Sequence, residues 1–101
     1  MKETILCPRV ARAMDLIGKR WMALIIYQLL EGPQRFNAIE AALPISGRLL
    51  SERLKELEKE EIVERKVYSE VPVRVEYALT EKGKSLQGAV TEIANWAQKW
   101  T

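Results

Sequence analysis

Apolar positions in the first sixty residues recur at helical spacing, and the period then changes. Val10, Met14 and Ile17 stand at i, i+4 and i+7, giving one apolar face that ends at Gly18. Proline suits a first helical turn, so Cys7-Pro8 reads as a helix start. A second helix is predicted from about Arg20 to Glu31, with Trp21, Leu24, Ile25, Gln28 and Leu29 at helical spacing. Met22, Ile26 and Tyr27 make it apolar all round, as expected of a deeply buried helix, and Gly32-Pro33 stops it. "QRFNAIEAALP" supplies a short third helix with Phe36, Ile39 and Leu43 on one side, ended by Pro44. Ser46 is placed to cap a fourth helix, which buries Leu50, Leu54 and Leu57 and passes the stripe on to Ile62. Its opposite side shows Arg48, Ser51, Glu52, Lys55 and Lys59.

Beyond Ile62 the pattern alternates. "VERKVY" and "RVEYAL" have the period of strands, and "SEVPV" between them carries the proline of a turn. A turn symmetric about Val71 pairs Val67 with Val75 and Val63 with Leu79 on the core side. The same register sets Lys66 opposite Glu76 on the solvent side and Tyr68 opposite Arg74. Thr80 then caps one last helix, predicted unbroken over about 81–100. Its stripe is Leu86, Val90, Ile93, Ala97 and Trp100, widened by Ala89 and Trp96.

The predicted order is four helices, a hairpin and a helix: a mostly α fold with a small β-hairpin, in a single domain spanning 1–101. Two short helices joined by a tight turn (about 36–60), followed at once by a hairpin (about 63–79), describe a winged helix-turn-helix. In that architecture the second helix of the pair enters the DNA major groove, and the hairpin reaches the backbone or minor groove as a wing. Net charge is only +2, so charge placement has to carry the argument for DNA. From Ser46 to Arg74 seven basic residues face seven acidic ones, but the bases begin at the helix's N-terminal end while the acids gather over Glu56–Glu64. The first twenty residues add five bases, Lys2, Arg9, Arg12, Lys19 and Arg20, against Glu3 and Asp15.

Absent residue types narrow the function classes. The sequence has no histidine and one cysteine, Cys7, so neither a histidine-dependent nucleophile nor a Cys/His zinc site can be built within one chain. No phosphate-cradling glycine motif occurs. The expectation is a protein without cofactor or metal that is not an enzyme. Met1–Pro8 lacks the apolar core of a signal peptide and no apolar run reaches membrane-spanning length, so a cytoplasmic protein without membrane contact is expected.

The runs "CPRVARAMDLIGKRW", "GPQRFNAIEAALP" and "LLSERLKELEKEEIVERKVYSEVPVRVEYALTEKGKSL" together resemble the HxlR-type family of bacterial winged helix-turn-helix transcription regulators, a MarR-like group. The resemblance covers the chain from Cys7 to about Trp96. It implies a homodimer, formed through the N- and C-terminal helices, on a pseudo-palindromic double-stranded operator, and a DNA-binding regulator of the repressor kind. Two departures stand out: Pro44 runs directly into Ile45-Ser46 without the family's intervening glycine, and Gly18-Lys19-Arg20-Trp21 replaces the usual Gly-Gly-Lys-Trp. The first shortens the turn before the recognition helix by one residue.

On this reading the DNA contacts expected of the helix pair are Arg35, Ser46, Arg48, Ser51, Arg53 and Lys55, and those of the wing are Lys66 and Arg74. Alternatives weigh on several: Ser46 is first a cap, Arg53 can brace the fold, Arg74 can pair with Glu76 or stack on Tyr68, and Glu76 can occupy Lys66. Val90, Ile93, Trp96 and Trp100 are the expected dimer interface, since a terminal helix with two tryptophans leaves apolar area for a partner. Cys7 occupies the place where some members of the family sense oxidants or electrophiles, and a helix N-terminus favours a thiolate. Its competing reading is a small packing residue. The sequence assigns no small-molecule effector. A winged helix used as a protein-interaction module, without DNA binding, is the competing function.

Overall fold

A computed structural model describes residues 7–101, so Lys2 and the first residues of the expected 1–101 domain lie outside the described part. The elements are α1 (Pro8–Gly18), α2 (Met22–Leu29), α3 (Phe36–Ala42), α4 (Gly47–Lys59), β1 (Val63–Tyr68), β2 (Arg74–Leu79), α5 (Glu81–Lys84) and α6 (Gln87–Trp100). The mostly α winged helix-turn-helix is therefore present, with its hairpin where the alternation placed it.

Helix α2 is the centre of the core. Met22, Ile25, Ile26 and Leu29 are buried there with Ile39 of α3 and Leu50, Leu54 and Leu57 of α4. Apolar character on all sides suits a helix that other elements surround. It starts later than the spacing predicts, because Trp21 takes a left-handed backbone (φ 78) and serves as its N-cap. Between α3 and α4 the chain turns through Leu43–Ser46, with Ile45 buried and the Ser46 hydroxyl accepting from the Leu49 N–H at 3.1 Å. The cap satisfies one of the helix's orphan donors and fixes where α4 begins.

The antiparallel register is the one predicted: Val63 opposite Leu79, Lys66 opposite Glu76, Val67 opposite Val75 and Tyr68 opposite Arg74. The expected core side holds only at the base. Val63 and Leu79 are buried, whereas Val67 is exposed because the hairpin projects beyond the helices that could cover it. Gln34, in the loop before α3, bridges Tyr77 through two backbone hydrogen bonds of 2.9 and 2.7 Å, so the wing is tied to the helix pair.

The predicted last helix is interrupted. Thr80 caps α5 through the Gly83 N–H (3.1 Å), and the chain breaks at Ser85-Leu86 before α6. Gly83 seats α5 against the end of α4, where an added Cβ would lie 2.2 Å from the Ile62 carbonyl oxygen. The break also moves Val90, expected in a dimer interface, into the core, because the first turns of α6 pack on α2. Past Val90, α6 leaves the body of the molecule. Ile93, Trp96 and Trp100 are exposed, the two tryptophans at 60% and 66%. Helix α1 has no buried residue, and its Val10 and Met14 also face outward. The chain is accordingly long, 61 by 30 by 24 Å.

Candidate nucleic-acid interface

Helix α4 has two working sides. Burial of Leu50, Leu54 and Leu57 fixes its inner stripe, and the helical period then sends Arg48 and Lys55 outward with Ser51 at the margin. Arg48 is the freest of them, at 93% side-chain exposure. Its one ion pair, to Glu52 one turn on, is long (3.7 Å) and lies in solvent. Among the described residues Lys55 and Arg35, both exposed, have no ion-pair partner. Arg35 is the N-cap of α3, and Ser46 the N-cap of α4.

Arg53 points elsewhere. Its side chain is only 14% exposed, its Nε donates to the Arg20 carbonyl oxygen at 3.0 Å, and its Nη1 reaches Glu56 at 2.7 Å. The expectation of a DNA contact is corrected to the bracing alternative: Arg53 docks the middle of α4 on the joint between α1 and α2. Glu56 also holds the Lys19 ammonium at the end of α1. The hydrogen bond from Lys19 leads, and with Arg53 it outweighs partial burial and holds the Glu56 carboxyl below its ordinary value.

The wing treats its cations differently. The Arg74 guanidinium lies over the Tyr68 ring, 4.0 Å from its centroid, and contacts Glu70 at 3.0 Å and Glu76 at 3.4 Å. Both alternatives weighed for it, stacking and pairing, are therefore realised together. Lys66 pairs with Glu64 at 3.2 Å and not primarily with Glu76 across the ladder; that hydrogen bond raises the ammonium's pKa. The sequence expectation overlooked Glu70, which becomes a neighbour of Arg74 only when the turn folds back. Beyond the paired charges project Val71, Pro72 and Val73, all exposed.

Cys7 is exposed at the N-cap of α1, its carbonyl accepting from the Ala11 N–H at 3.0 Å. It is remote in sequence from both α4 and the wing. Among the described residues no group of three His, Cys, Asp or Glu could hold a metal ion, and no helix is long and apolar enough to cross a membrane.

Comparison with known proteins adds a consistent set of likenesses. Residues 16–101 match the model of a family described as HxlR-like helix-turn-helix. The chain is 57% identical, over 99% of its length and 94% of the relative's, to the uncharacterized HTH-type transcriptional regulator YvaP of Bacillus subtilis. It superposes on the reduced form of the B. subtilis transcriptional regulator YodB with a TM-score of 0.84 at 50% identity, covering 95% of each chain. The oxidized form of the redox regulator HypR gives a TM-score of 0.88 at 38% identity, over 94% of this chain and 98% of that one.

Proposed function

Because the chain belongs to the HxlR-like helix-turn-helix family, we propose that it is a transcription regulator that binds a pseudo-palindromic operator as a homodimer. The observation that carries this reading is the division of α4. Its inner side is buried and its middle is docked by Arg53, while Arg48 and Lys55 stand free on the outside with Ser51 beside them. A rigidly seated helix that keeps Lys55 unpaired and Arg48 only loosely paired on its outer side is what a major-groove reader needs. Arg35 and Ser46, exposed at the starts of α3 and α4, are positioned to meet phosphates on either side.

Dimerisation is supported by α1 and the outer part of α6, which present Val10, Met14, Ile93, Trp96 and Trp100 to solvent. Apolar exposure of this kind, on a helix that leaves the molecular body, is the mark of a surface meant for a partner. Cys7 starts α1, one helical turn before Val10 and two before Met14, so modification of its thiol by an oxidant or electrophile would act at that same interface. The likeness to HypR, named a redox regulator, and to YodB, solved in a reduced form, supports that role.

The test is binding of the purified protein to its own upstream intergenic DNA across a salt series, with stoichiometry, before and after diamide or a quinone. Two chains per selective site, affinity falling steeply with salt, and loss on treatment in the wild type but not in Cys7→Ser are expected. Absence of selective binding, checked by selection of bound genomic fragments, would defeat the regulator reading. Binding that treatment leaves intact would reduce Cys7 to a packing residue.

A further inference from the structure

Arg74 flanks the turn of the wing, and its guanidinium is held by three neighbours. Glu70 takes one terminal nitrogen at 3.0 Å, Glu76 the other at 3.4 Å, and Tyr68 covers one face of the guanidinium. The remaining nitrogen, Nε, is buried without a hydrogen-bond partner, so it offers nothing outward. One cation thus sits between two carboxylates, and the cluster of Glu70, Arg74 and Glu76 has a net charge of about −1. An approaching phosphate meets a guanidinium already engaged by Glu70 and Glu76, so its attraction to Arg74 is reduced until a carboxylate is displaced.

The two carboxylates are not equivalent. Glu76 lies within β2 with its side chain 19% exposed, and the strand fixes its position. Glu70 belongs to the turn and is half exposed. A solvent-facing ion pair is weak, so a DNA phosphate can compete with Glu70 for the guanidinium but must displace it first.

We propose that Glu70 withholds Arg74 from DNA, making the wing a restrained contact and Glu70 a residue that limits affinity for the operator. The proposal rests on the operator-binding reading above. It differs from the simpler view that Glu70 orients Arg74 toward DNA, under which removing the carboxylate would weaken binding.

The experiment compares wild type, Glu70→Gln, Arg74→Ala and the double variant Glu70→Gln/Arg74→Ala on the same operator fragment across a salt series. Glu70→Gln is expected to bind about fivefold more tightly at low salt, the upper range for release of a surface ion pair. Its log–log salt slope should steepen by about 0.9 per protomer, as one more phosphate is neutralised. The double variant should lose both gains. Unchanged or weaker binding by Glu70→Gln would overturn the proposal while leaving the regulator reading in place. So would a gain that survives in the double variant, because it would then come from the general loss of a negative charge. If neither wild type nor Glu70→Gln binds any fragment selectively, the operator reading falls and the restraint falls with it.

Discussion

The recognition helix and the wing have similar raw material and allocate it in opposite ways. Over Ser46–Arg74 the count of bases equals that of acids, which by itself points to a neutral surface. On α4 the acid that matters, Glu56, turns toward the scaffold and holds Arg53 and Lys19, and the outer cations are left unneutralised or loosely paired. On the wing, Glu64 sits on Lys66, and Glu70 and Glu76 sit on Arg74, leaving Arg65 without an ion pair among the described residues. A neutral total can therefore contain one surface whose outer cations are largely free and another where Lys66 and Arg74 are held by carboxylates. The difference is decided by which carboxylate reaches which cation.

The largest effect should come from emptying the freer surface. Arg48→Ala/Lys55→Ala is expected to weaken operator binding by about 100-fold, in line with ~1–3 kcal/mol for a good base contact plus a lost phosphate contact. Thermal stability should hardly change, since both side chains are solvated. The salt slope should become shallower. Anisotropy titrations beside a melting curve would check this, and wild-type affinity in the double variant would reverse the ranking of helix over wing.

Arg53 sharpens the contrast within α4. Arg53→Ala removes a donor from the exposed Arg20 carbonyl and a partner from Glu56 in a partly buried setting. Net losses for hydrogen bonds to charged or buried groups suggest a cost of about 1–2 kcal/mol. The midpoint of denaturant unfolding should fall accordingly, with the salt slope of DNA binding unaltered. A stable variant with a slope about one unit shallower would instead return Arg53 to the phosphate-contacting set.

How far the sequence could be read follows the same line between local and distant. The wing's register was legible because strand period and a symmetric turn are local properties, and both survive folding. The Ser46 cap was legible for the same reason. Arg53 was ambiguous because its acceptor, the Arg20 carbonyl, lies 33 residues away and is presented only after Trp21 turns left-handed. Lys19 and Glu56 are 37 residues apart and meet only once the chain has folded. Val90 was misplaced because apolar spacing continues smoothly across Ser85-Leu86, where the backbone does not. The seat of Gly83 on Ile62 is a tertiary contact that no helical periodicity contains.

The smallest effect concerns the anchoring acid and is visible only against pH. Glu56 has its pKa lowered in the fold, first by the hydrogen bond from Lys19, so its contribution is present above the ordinary carboxylate value of 4.5 and is lost as pH falls through the depressed folded value. Glu56→Gln cannot accept a proton and keeps the side chain's shape. Its unfolding midpoint should therefore lie below that of the wild type at neutral pH, and the gap should close as the solution is acidified below about 4.5. Because the pair with Lys19 is substantially exposed, salt should shrink the gap as well. A gap that stayed constant on acidification would mean that Glu56 anchors α4 through its shape and not through its charge.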